Sequence, residues 1–142
     1  MRTFTLPEAQ TLLPVLSALL ERAQTAAGTA AARETTLQSL HQAIFLNGGM
    51  HIDLLHVARL KGEQERAVAE ARDSLQEIDD IGVSVKDLQH GLLEFPFQLD
   101  EEVVLLCWEQ GQSTITTWRT TEQDPSDRQP LDDRFTRPER PH

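Results

Sequence analysis

The spacing of apolar residues in this chain changes once, at Gly82, and that change limits the possible folds more than any other feature. Before it, apolar side chains recur at intervals of three and four, the period of helices that bury one stripe. After it they alternate or run together, as in strands. Helices first and strands second, without interleaving, predict an α+β fold: three helices in the N-terminal half packed on a small antiparallel β-meander of three to four strands. At 142 residues the chain reads as a single domain over 1–131, with helices at about 5–80, a sheet at about 82–121 and a flexible tail over 132–142.

The first helix starts at Thr5-Leu6-Pro7-Glu8, where the threonine hydroxyl and the Glu8 carboxylate can each take the other's backbone amide and Pro7 costs no donor. Phe4 can staple that entry. Ala9, Leu12, Leu13, Leu16, Leu19, Leu20 and Ala23 give one stripe that ends near Gly28, with a kink expected at Pro14, whose nitrogen cannot bond the carbonyl of Gln10. A second helix follows over about 29–46, with Leu37, Leu40, Ile44 and Phe45 on one side, and closes at Asn47-Gly48-Gly49. The third, about His51–Asp79, has Val57, Leu60, Gln64, Val68, Ala71, Leu75 and Ile78 on its seam. Its length of about 43 Å exceeds what a compact domain of this size needs, which predicts a further packing partner, most simply a second protomer.

Val83 and Val85 alternate with Ser84 and Lys86, and Gln89-His90-Gly91 then turns the chain. In the next strand Leu93, Phe95, Phe97 and Leu99 share a face, and Pro96, lacking a donor, predicts an edge or bulge there. Asp100-Glu101 is a turn. Val103–Trp108 is apolar on both faces and so central, and Gln110-Gly111 predicts a tight hairpin into 113–121. From Asp124 onward prolines and interleaved charges leave little apolar area, so 136–142 reads as disordered, with Leu131 and Phe135 able to anchor the earlier part on the sheet.

The net charge of -10, from 13 basic and 23 acidic residues, argues against nucleic acid and against anionic membranes. One cysteine cannot make an internal disulfide, the longest apolar run is six residues, and MRTFTLPEAQ lacks the pattern of a secretory signal, so the expected location is cytoplasmic. His41, His51, His56, His90 and His142 have no metal-ligand spacing. His51 and His56 would lie about 140° apart on a helix. Asp79, Asp80 and Asp87, or Asp100, Glu101 and Glu102, lack the alternation of a calcium loop and read as solvated acids, so no metal is expected; the sequence leaves any cofactor unknown. Cys107, inside an apolar strand, reads as a small buried hydrophobe, and Trp108 and Trp118 as core residues before they read as walls of a pocket.

Charged residues inside apolar strands must face solvent, pair or line a cavity, which singles out Lys86, Asp87, Glu94 and Arg119, with Arg128 beyond them. Val85-Lys86-Asp87-Leu88, then Gly91-Leu92 with Phe95-Pro96, then Leu106-Cys107-Trp108 with Gly111, then Trp118, and last Arg128 with Pro130-Leu131, together resemble the bacterial domain of unknown function 2203 family across about 3–131. That pattern implies an aspartate where Glu94 stands, a glutamate at Gln112 and a histidine at Arg119. The resemblance carries no activity over. The expected function is therefore a small non-enzymatic interaction or regulatory protein that forms a homo-oligomer and could bind a protein partner. The alternative is a small-ligand-binding protein or enzyme, with Lys86, Asp87, Glu94, Arg119 and Arg128 converging on one side of the sheet to hold an anionic or metal-bridged ligand.

Overall fold

The computed structural model describes residues 2–46 and 53–136 and contains two long helices followed by five strands. The helices are α1 (Leu6–Leu46) and α2 (Leu54–Ile81). The strands are β1 (Ser84–Asp87), β2 (Leu92–Leu99), β3 (Glu102–Glu109), β4 (Thr117–Thr120) and β5 (Gln129–Pro130). They pair antiparallel in the order β1-β2-β3-β4-β5, a meander. The expectation of three helices and three to four strands is thus corrected to two and five.

The extra helix disappears because α1 runs unbroken through Gly28. One glycine costs about 1 kcal/mol relative to alanine, and here it is flanked by Ala26, Ala27, Ala30, Ala31 and Ala32, the best helix formers, with no capping residue to stop the chain. Pro14 also lies inside α1 without ending it, on the exposed side, where water can take the freed Gln10 carbonyl. The reversal expected at 47–49 lies outside the described residues. The extra strand, β5, is two residues long and contains Pro130, too short to show in a period-2 pattern.

By contact, the chain divides into two compact units: Met1–Leu20 with Gln76–His142, and Glu21–Leu75. In the first, Leu13, Leu16 and Leu20 of α1 and Ile78 of α2 share a core with Leu93, Phe95, Leu106, Trp108 and Trp118 of the sheet. The Thr5 amide donates to Glu8 Oε1 (3.0 Å) and the Glu8 amide to Thr5 Oγ1 (3.2 Å), the expected capping box. The bond from the Thr5 amide foremost, and then the Thr5 hydroxyl, hold the Glu8 carboxyl below its ordinary pKa. Phe4 is buried edge-on against Phe95, and its amide donates to the Pro96 carbonyl (2.8 Å). Pro96 therefore sits past the end of β1, where no strand asks for its missing donor.

At the other helix end, Gly82 takes φ 105° and donates to Asp79 O (2.9 Å), while Val83 donates to Ile78 O (3.3 Å). This is a Schellman stop, and its apolar pair, Ile78 and Val83, is buried in the same core. Asp100 turns β2 into β3 at φ 54°. The β3–β4 connection spans 110–116, longer than the tight hairpin expected, because Ile115 is drawn into the core and the Trp108 indole donates to Gln112 O (2.9 Å). Phe135 is buried against Phe97 and Trp118, so the anchoring role foreseen for it holds.

The second unit is an antiparallel helical hairpin, tied by Arg33 Nε to Glu63 Oε2 (2.6 Å), by a hydrogen bond from Gln64 to Glu34 and by Arg22 to Glu70 (3.8 Å). Among the described residues its buried ones are Ala23, Ala26, Leu37, Leu60, Ala67 and Ser74. Val68, expected on the seam, is exposed; Ala67 and Ser74 hold the inward places instead. The Ser74 hydroxyl is buried without a hydrogen-bond partner among the described residues. Among the described residues, no helix is long and apolar enough to cross a membrane.

Candidate functional site

Register decides which side chains meet. Leu93, Phe95 and Phe97 lie opposite Trp108, Leu106 and Val104, and Trp118 lies opposite Leu106, so these share the face turned to the helices. Glu94 opposite Cys107, and Leu105 opposite Arg119, therefore occupy the second face. Glu94 and Arg119 are only 3% and 6% exposed.

They form a two-pronged ion pair, Arg119 Nε to Glu94 Oε2 (2.5 Å) and Nη2 to Oε1 (2.8 Å). The remaining nitrogen, Nη1, donates to the carbonyls of Gln123 (2.5 Å) and Thr120 (3.2 Å). All three guanidinium nitrogens are thus committed inside the chain. Gln123 in turn accepts from the Thr120 amide (3.1 Å) and from Gln129 Nε2 (3.3 Å), so the pair clamps the connection between β4 and β5. The Glu94 bond raises the Arg119 pKa further above its already high value. Cys107 Sγ lies 3.9 Å from Glu94 Oε2, and burial, then the Glu94 charge, push its pKa up to about 11. A thiol so placed stays protonated near neutral pH and is no nucleophile.

The other sequence-selected residues fall around this pair unevenly. Arg128 Nη2 approaches Glu109 Oε2 at 3.9 Å, and its charge acts on the Cys107 thiol. Lys86 is exposed at the irregularity of β1, and with Arg119 it lowers the pKa of Asp124, whose main stabilisation is the bond from the Ser126 amide (3.0 Å). Asp87 closes a turn instead: it accepts the His90 amide (3.0 Å) and meets His90 Nδ1 (2.8 Å), the amide bond first among the causes that lower its pKa. Gln123 and Asp124 escaped the sequence reading; Asp124-Pro125-Ser126 carries the signature of an Asx turn and could have marked them.

Among the described residues, no group of three or more His, Cys, Asp and Glu side chains is placed to hold a metal ion. The Glu94–Arg119 pair is spent on holding backbone, and the thiol beside it is protonated.

The profile of a family described as an uncharacterized conserved protein, DUF2203, matches residues 2–131. The chain belongs to the DUF2203 family. No similar curated protein and no similar solved structure was found. Glu94 and Arg119, two of the positions singled out in the sequence, are the two partners of one ion pair.

Proposed function

We propose that this DUF2203 protein is a small non-enzymatic interaction protein that self-associates through its helical hairpin. One observation carries the reading: among its described residues the hairpin exposes more large apolar side chains than it buries. Leu37 and Leu60 are its buried large ones, whereas Phe45 is 86% exposed, Leu46 79%, Leu54 73%, Leu55 71% and Val68 42%. Helices owe most of their stability to packing of an apolar face, and two helices with an alanine seam supply little of it. A second copy supplies the missing layer.

The sheet gives no competing route, because both of its edges are blunted. β1 is short and irregular, with Lys86 exposed, and β5 is two residues long with a proline. A ligand site on the sheet has less support, since a ligand at Arg119 would have to displace Glu94. Location in the cytoplasm suits a single buried thiol.

Light scattering across a dilution series tests the reading. The expected mass lies above 16.0 kDa and falls on dilution. A constant 16.0 kDa up to roughly tens of micromolar, where modest interfaces form, would refute it.

A further inference from the structure

The end of the hairpin where α1 finishes and α2 begins combines exposed apolar side chains with a long stretch of sequence almost without charge. Phe45 and Leu46 in the last turn of α1, and Leu54 and Leu55 in the first turn of α2, are all mostly in water. The sequence around them is almost without charge: from Thr35 to Ala58 the only Asp, Glu, Lys or Arg is Asp53. In a chain that is 25% charged, this is a long gap. Asp53 itself is engaged at the start of α2, where its carboxylate accepts the His56 amide (3.1 Å) and its carbonyl the Val57 amide (3.1 Å).

Resting on the self-association proposed above, we infer that this end of the hairpin is the contact, and that its occupant is the same end of a second copy. Three considerations select that partner. Four mostly exposed large side chains, doubled by two-fold symmetry, would remove on the order of 1,000 Å² from water, the size at which specific association begins. A strongly acidic or basic partner would find only Asp53 to answer it, and an identical patch opposes no more than that one charge per copy. The hairpin unit 21–75 holds seven acids and six bases, leaving sixteen acids and seven bases to the rest of the chain, so two copies meeting at this patch bring their least charged parts together. A lipid surface fits less well, because the whole chain carries -10 and the few bases bordering the patch (Arg33, Arg59, Lys61) are matched by Glu34, Glu63 and Glu65.

The test is sedimentation equilibrium of the full chain and of Leu54→Asp/Leu55→Asp. Both substitutions sit in the first turn of α2, where a negative charge favours the helix, so the fold is retained and circular dichroism should be unchanged. Loss of two buried leucines at the contact should weaken association by about a hundredfold or more. Support is a parent protein that dimerises and a double variant that stays at 16.0 kDa under the same conditions. Two proteins that assemble equally well overturn the contact while leaving self-association through the hairpin standing. A parent that is monomeric throughout overturns both. A monomeric parent that binds neutral phosphatidylcholine vesicles, with binding lost in the variant, overturns the second copy in favour of lipid.

Discussion

Removing the Arg119 side chain while keeping its apolar length, as Arg119→Met does, leaves the Glu94 carboxylate buried with the weakly donating Cys107 thiol, at 3.9 Å, as its hydrogen-bond partner among the described residues. The lost contacts are the two bonds to Glu94 and those to the Gln123 and Thr120 carbonyls. The carbonyls belong to half-buried residues and can be rehydrated; the carboxylate, on a residue 3% exposed, cannot. Breaking a buried pair from one side costs about 3–5 kcal/mol, a third or more of the stability of a typical domain. For 142 residues that corresponds to a melting point lower by about 10–15 °C. Glu94→Gln should be destabilising too, and Glu94→Gln/Arg119→Met less so than the two single effects added, with a coupling of about 2 kcal/mol or more in a double-mutant cycle. Urea unfolding followed by tryptophan fluorescence measures all four proteins, and the coupling should barely change with salt. A single-variant cost below about 1 kcal/mol, or coupling that vanishes in high salt, would show a surface-type pair and refute the reasoning.

Cys107 should react slowly with a thiol reagent in the native protein at pH 8 and at once after unfolding. Its raised pKa makes folding favour the protonated thiol, so that contribution to stability is intact below about pH 9 and is lost as the pH climbs toward about 11; rapid native labelling would contradict this. Three substitutions should stabilise the fold by about 0.5–1 kcal/mol each in urea titrations: Gly28→Ala, because open space surrounds a helical glycine; Asp100→Gly, which relieves a φ of 54°; and Ser74→Ala, which removes a buried hydroxyl with no partner. A loss of stability in any of them would show that the local reading of that position is wrong.

The places where the sequence was readable are those where a short-range signal acts alone. The capping box of Thr5 and Glu8, the stop at Gly82, the Asp100-Glu101 turn and the meander all follow from neighbours within a few residues. Gly28 misled because helix termination depends on the balance between one glycine and its alanine-rich surroundings, not on the glycine itself. Val68 misled because threes and fours admit two adjacent phases, and small Ala67 and Ser74 took the inward one. Glu94 and Arg119 stood out as charges in apolar strands, but their pairing depends on the register of β2, β3 and β4 together. That register is set partly by the 110–116 connection, whose length the Gln110-Gly111 signal understated. Asp87 was equally conspicuous, yet a local bond to His90 removed it from the group.

Self-association through the hairpin has a local signature in amide exchange measured at two protein concentrations, about tenfold to a hundredfold apart, under otherwise identical conditions. Mass action stabilises whatever the contact holds, so amides of 21–46 and 54–75 should become better protected as concentration rises, by about 1.4 kcal/mol for each tenfold gain in bound fraction over free. Amides of β2 and β3, which belong to the other unit, should change less at their locally opening positions. Protection in the hairpin that does not depend on concentration, in a protein that stays at 16.0 kDa, would contradict the account.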